Sequence, residues 1–147
     1  MTFTRTIRNG LVIAAVLVGG VAIAKEGVKD PQVKARQELM ATIGANTKTL
    51  GEMAGGKIPF DATAAAAAKA ALAAAAAEIP AKFEPQATDP VTEAKAEIWT
   101  NWDDFVAKSE ALLKAAEAAD TTSPETIGAG MGAIGGACKD CHTTYRM

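Results

Sequence analysis

Cys138-Lys139-Asp140-Cys141-His142, close to the C-terminal end of a 147-residue chain, spells C-x-x-C-H. That spacing is the attachment signature of a c-type haem, with two thiols forming thioethers to the vinyl groups and the imidazole binding the iron. On a helix each residue turns about 100°, so Cys141 falls about 60° to one side of Cys138 and His142 about 40° to the other. All three then face one way, and Lys139 and Asp140 point to solvent. Two short side chains and one longer one can clamp a flat macrocycle by its edge and its metal.

Other readings of these residues fit less well. A thioredoxin-type C-x-x-C opens a helix after a strand, where the helix N-terminus lowers the thiol pKa, whereas this one closes a helical pattern. A structural zinc site needs four Cys or His ligands, and the chain has two Cys and one His. A disulfide between residues three apart on a helix would be strained and would close almost no loop.

Upstream, residues 1–24 begin with Arg5 and Arg8, continue through an apolar run from Leu11, and end in Ala22-Ile23-Ala24. This reads as a secretory signal peptide with an A-x-A cleavage site, too short and glycine-interrupted for a membrane span. Export agrees with the haem motif, because c-type haem is attached outside the bacterial cytoplasm. The expected location is the periplasm of a Gram-negative bacterium, with no membrane attachment after cleavage. Residues 25–147 then form one domain. The mature part holds 13 basic and 17 acidic residues, a net charge of −4, which argues against nucleic acid as a partner.

Four helices follow from capping and periodicity. Asp30-Pro31 starts the first, whose stripe is Val33, Arg36, Met40, Ile43, Thr47 and Leu50, and Gly55-Gly56 ends it. Asp61 caps a second, almost pure alanine from Ala62 to Ala77. A third is expected from Asp89-Pro90 to about Ala119, with Val91, Ala94, Ile98, Phe105, Leu112 and Ala116 inward and Lys108 on a solvated face. Ser123-Pro124-Glu125 opens the fourth, with Ile127, Met131, Ile134, Cys138 and Tyr145 on its stripe. Gly128, Gly130, Gly132, Gly135 and Gly136 in that helix suggest a closely approaching neighbour. The fold class is all-α, an antiparallel up-down-up-down four-helix bundle enclosing one covalently attached haem c.

With these features together the chain resembles the class II cytochromes c, which hold the cytochromes c′ and low-spin relatives of the c-556 type. The resemblance rests on the exported precursor, the haem motif followed by Tyr145-Arg146, the stretch from Glu93-Ala94-Lys95 to Ile98-Trp99, and Arg36-Gln37-Glu38-Leu39-Met40. It covers the mature domain end to end.

His142 is the only histidine, so the second axial position of the iron falls to methionine, to lysine, or to nothing. In an antiparallel pair rising about 1.5 Å per residue, Met40 lies at the level of His142 and Met53, Met131 and Met147 do not. The resemblance implies that this position carries the bound methionine in low-spin members and an apolar shield in high-spin ones. It also implies that Arg36 approaches the haem propionates. Trp99, one of few aromatic residues, is a candidate for packing on the haem. The expected function is a periplasmic one-electron carrier with His142/Met40 ligation, exchanging electrons with periplasmic or membrane-bound redox proteins as a monomer or homodimer. The alternative is a high-spin protein with an open distal site that binds nitric oxide or carbon monoxide. Neither is an enzyme.

Overall fold

The computed structural model describes residues 26–147, and the signal-peptide reading of residues 1–24 lies outside them. Six helices occur in the order α1 Pro31–Ala54, α2 Ala62–Ala77, α3 Ile79–Phe83, α4 Glu97–Thr100, α5 Trp102–Ala118 and α6 Pro124–Tyr145. The four long ones, α1, α2, α5 and α6, pack in a ring in which each touches its chain neighbour and α6 returns to α1. This is the expected four-helix bundle, and no strand occurs among the described residues.

Three of the long helices begin where their caps dictate. Asp30 accepts the backbone N–H groups of Gln32 and Val33, Asp61 accepts that of Ala64, and Ser123 forms a capping box with Thr126. Each cap satisfies amide donors that the first helical turn leaves open. At the end of α1, Gly56 takes a φ of +67°, a conformation that glycine adopts without steric cost, and the chain turns toward α2.

The third long helix begins later than Asp89-Pro90. Residues 84–96 form a connecting strap, then α4 supplies one turn, and α5 starts at Trp102. The reason lies in what Asp89 does with its carboxylate. Instead of capping a helix it accepts backbone N–H groups of Lys29, Asp30 and Val91 at 2.8, 2.9 and 3.0 Å, fastening the strap to the start of α1. Farther along, Ala94 pairs with Arg146 in an isolated antiparallel bridge. Lys95 donates its N–H to the Tyr145 carbonyl, and Met147 donates its N–H to that of Glu93. The backbone of residues 93–95 is therefore used by the C-terminal tail and is not available to a helix.

Helix α2 buries Ala65, Ala68, Leu72, Ala75 and Ala76, spaced as one face of a helix. The small side chains let α1 and α5 come close, and Leu72 at 0% exposure anchors the layer. Leu50, Ile98, Ile127, Ile134 and Val33 are buried as fully from the other elements. Each such side chain contributes about 1.5–3 kcal/mol of burial free energy.

Candidate functional site

Helix α6 carries Cys138, Cys141 and His142 in its last two turns, and all three line one cavity of about 690 Å³ between α1, α5, α6 and the strap. Val33, Ile43, Ile79, Phe83, Phe105 and Leu112 form much of its wall. The Cys138 and Cys141 thiols are free and partly buried. Burial pushes both up, Cys141 to about 11, so at neutral pH they are neutral thiols rather than the low-pKa pair of a dithiol oxidoreductase. His142 sits at the cavity mouth, where partial enclosure, and then the nearby Arg146, hold its pKa below the ordinary value. A neutral imidazole is the form that binds a metal.

The residues fit a covalently held haem. The cavity is apolar, large enough for a flat macrocycle, and reached by two thiols and one imidazole from the same helix. Among the described residues no group of three or more His, Cys, Asp or Glu side chains is arranged to hold a bare ion.

Met40 of α1 lines the same cavity. The other methionines of the described residues do not: Met53 is buried farther along α1, Met131 lies against Gly51, and Met147 is 71% exposed. Met40 is thus the methionine of the described residues that shares the cavity with Cys138, Cys141 and His142.

Arg36 is buried at 3% exposure and borders the cavity, but its donors are turned to the end of α3 and the strap. The guanidinium donates to the carbonyls of Lys82 at 3.2 Å, Ala87 at 3.0 Å and Pro85. Phe83 and Trp99 lie over it with ring centroids 5.2 and 5.1 Å from Cζ. Burial lowers its pKa, with Asp30 acting in the opposite sense. Trp99, expected against the haem, does not line the cavity; its indole N–H donates to the Phe83 carbonyl at 2.7 Å while its ring covers Arg36.

One cavity residue was misplaced by the sequence reading, and the partners of two others were not legible in it. Lys108, assigned to a solvated face, lines the cavity, and its Nζ donates to Asp140 at 2.5 Å, tying α5 to the residue between the two cysteines. That hydrogen bond raises its pKa. The spacing Phe105, Lys108, Leu112 did carry the signal, since it continues the inward stripe. Arg146 pairs with Glu93 at 2.5 Å, so the strap and the C-terminal tail close the cavity beside His142. Tyr145, 3% exposed, donates its hydroxyl to Asp104 at 2.6 Å.

Comparison with known proteins agrees with this geometry. Residues 31–146 match the family model described as Cytochrome C'. The chain is 38% identical over 117 residues to cytochrome c-556 of Agrobacterium tumefaciens (strain apple 185), covering 77% of this chain and 92% of the relative. It is 37% identical over 123 residues to cytochrome c' of Pararhodospirillum photometricum, covering 78% and 94%. A nitric oxide complex of a variant cytochrome c prime from Alcaligenes xylosoxidans superposes with a TM-score of 0.69 at 28% identity, covering 78% of this chain and 93% of that one. A bundle of this form, a C-x-x-C-H motif facing its cavity and relatives of this closeness lead to one conclusion: the chain belongs to the cytochrome c′ family of class II cytochromes c, monohaem proteins whose cofactor is covalently bound haem c.

Proposed function

We propose that the protein is a periplasmic one-electron carrier in which Cys138 and Cys141 hold the haem by thioethers, His142 is the proximal axial ligand and Met40 the distal one. The observation that carries this reading is that Met40 is the one methionine of the described residues to share a cavity with the haem motif. When bound, haem c supplies a one-electron couple whose potential a thioether ligand raises relative to two nitrogen ligands.

The chain's own residues supply the rest. Val33, Ile43, Phe83, Phe105 and Leu112 give the cavity an apolar wall. The Lys108–Asp140 and Arg146–Glu93 pairs clamp the end of α6 from two sides, so His142 is held against displacement. A wall fixed in this way changes little when charge changes inside it, which suits electron transfer. With its one histidine committed to the iron, the chain offers no distal imidazole for acid–base catalysis, and the reading is of a carrier and not a catalyst. Redox partners would dock by small, transient contacts. Among the described residues no helix is long and apolar enough to cross a membrane, and the sequence of residues 1–24, read as a leader, is in keeping with export.

A second reading is gas binding, in which Met40 only shields an open iron. The apolar walls around Met40 would suit a diatomic gas, and the Alcaligenes xylosoxidans relative was solved as a nitric oxide complex. Absorption spectroscopy separates the two. The carrier should show a sharp reduced α-band and, when oxidised, a methionine-to-iron charge-transfer band; Met40→Ala should abolish that band and produce a high-spin spectrum that shifts with carbon monoxide. A low-spin spectrum unchanged by Met40→Ala would remove Met40 from the iron, and a high-spin spectrum in the unaltered protein would favour the gas reading.

A further inference from the structure

Tyr145 stands apart from the other cavity residues. Its phenol is buried at 3% exposure in the cavity wall, yet its hydroxyl donates at 2.6 Å to the carboxylate of Asp104, which is exposed. A contact that short is a charge-assisted O–H···O⁻ bond. Burial, and after it the Asp104 hydrogen bond, push the phenol up to about 12, so it keeps its proton at rest. Its ring meets Phe105 edge-on at 5.4 Å, and Phe105 stacks on Trp102 at 5.5 Å, so two ring contacts lead from the cavity to a partly buried indole. A buried phenol beside a redox cofactor, with a solvent-linked proton acceptor aligned on its hydroxyl, has the parts needed to lose an electron and a proton together.

We propose that Tyr145 is a redox-active residue that gives one electron toward the haem when hydrogen peroxide over-oxidises it, with Asp104 accepting the phenolic proton and Trp102 as the outlet. Peroxide needs two electrons and two protons to become two waters. Bound haem in its ferrous state would supply one of these electrons, and Tyr145 supplies the second. The O–O bond breaks, the phenol O–H bond breaks, its proton goes to Asp104 and on to solvent, and the net step takes up one further proton from solvent. A neutral tyrosyl radical remains. Trp102 then returns an electron through Phe105 while a proton returns through Asp104; the phenol is restored and Trp102 is left as the indole radical cation, so the oxidising equivalent is held outside the cavity and Met40 is spared conversion to the sulfoxide. This goes beyond the carrier reading and does not require Met40 to bind the iron.

The chain contains one tyrosine, so the assignment can be made without a mutation. Ferrous holoprotein, unlabelled or carrying ring-deuterated tyrosine, is mixed with hydrogen peroxide, frozen, and read by electron paramagnetic resonance. The same is done in Met40→Ala, where the distal side is open to peroxide, after the absorption spectrum has reported separately on Met40 ligation. A radical whose hyperfine pattern narrows on deuteration is expected. Asp104→Asn should cut its yield several-fold, Trp102→Phe should prolong it, and Tyr145→Phe should abolish it and raise Met40 sulfoxide in the mass spectrum. A radical insensitive to tyrosine deuteration, or none in either background while the cofactor is oxidised, overturns the proposal. Full yield in Asp104→Asn overturns the role given to that carboxylate.

Discussion

The two ends of the bundle are built from opposite materials. At one end, the last turn of α1 and the end of α5 meet the first turns of α6 through small side chains. Ala54 lies 3.9 Å from where a Cβ on Gly128 would sit, and Ala119 lies 3.2 Å from the corresponding point at Gly130, with Leu50 and Met53 buried alongside. At the other end Phe83, Phe105 and Tyr145 form a cluster with centroids 5.2–5.4 Å apart and help to wall the cavity of about 690 Å³. Here the wall is completed by the strap, whose Ala94 packs against the core and whose Asp89 is fastened to the start of α1. The difference teaches how a chain with few aromatics makes room for a cofactor. Alanine and glycine draw the helices together where nothing is to be bound, and polar clips hold the backbone open where something is.

The sharpest break in that contrast should come from Arg36. Three carbonyls of residues 82–87 accept from its guanidinium, and Phe83 and Trp99 enclose it. Arg36→Met keeps the aliphatic bulk but leaves those carbonyls without their donor. Hydrogen bonds to a charged group are each worth about 1.5–3 kcal/mol, and compensating water at the strap lowers the total, so a loss of about 3 kcal/mol is expected in urea unfolding of the holoprotein. The visible circular dichroism of the haem should change as well. Leu72→Ala, a comparable loss at a residue that does not line the cavity, should leave that signal as it was; equal changes in both variants would mean that the signal follows stability in general and not the strap.

A smaller effect belongs to Asp89, the second clip on the strap. Backbone N–H donors of Asp30, then Val91 and Lys29, stabilise its carboxylate and hold its pKa below the ordinary value. Because the folded pKa is depressed, the stability it contributes is present above the unfolded value of about 3.9 and is lost as pH falls through the folded one. The urea midpoint of the unaltered protein should therefore exceed that of Asp89→Asn near neutrality, and the gap should close as pH is lowered below about 4. A gap that stays constant to low pH would show that ionisation of Asp89 does not matter to the strap.

How much of this could be read in the chain follows from the range of each interaction. The starts of α1, α2 and α6 were legible because Asp30, Asp61 and Ser123 bond to amides two or three residues away. Asp89-Pro90 has the same local appearance, yet two of the three bonds to its carboxylate come from residues 59 and 60 positions distant, which no cap pattern can encode. The cavity shows the same division. Cys138, Cys141 and His142 share a face by helical spacing alone, and Met40 reaches their level by rise alone. Arg36, Trp99 and Lys108 are different. What each does depends on which carbonyl, ring or carboxylate another element brings to it, and only the folded chain supplies that partner.

The smallest effects should come from the glycines of α6, and they divide along the same line. Five in one helix suggested a neighbour in close approach, but that holds only toward the closed end. A Cβ on Gly132, Gly135 or Gly136 would meet nothing within 4 Å, whereas one on Gly130 would meet the Ala119 Cβ at 3.2 Å and its Cα at 3.4 Å. Gly132→Ala should therefore gain most of the helix-propensity difference, about 1 kcal/mol, since nothing opposes the added methyl. Gly130→Ala carries the same propensity gain but must push aside backbone at the turn after α5, so its net change should fall below that of Gly132→Ala and reach zero or a loss. Thermal unfolding of the two holoprotein variants measures the comparison directly. Equal gains would mean that Ala119 gives way freely, and the closed end would then be held by something other than close contact.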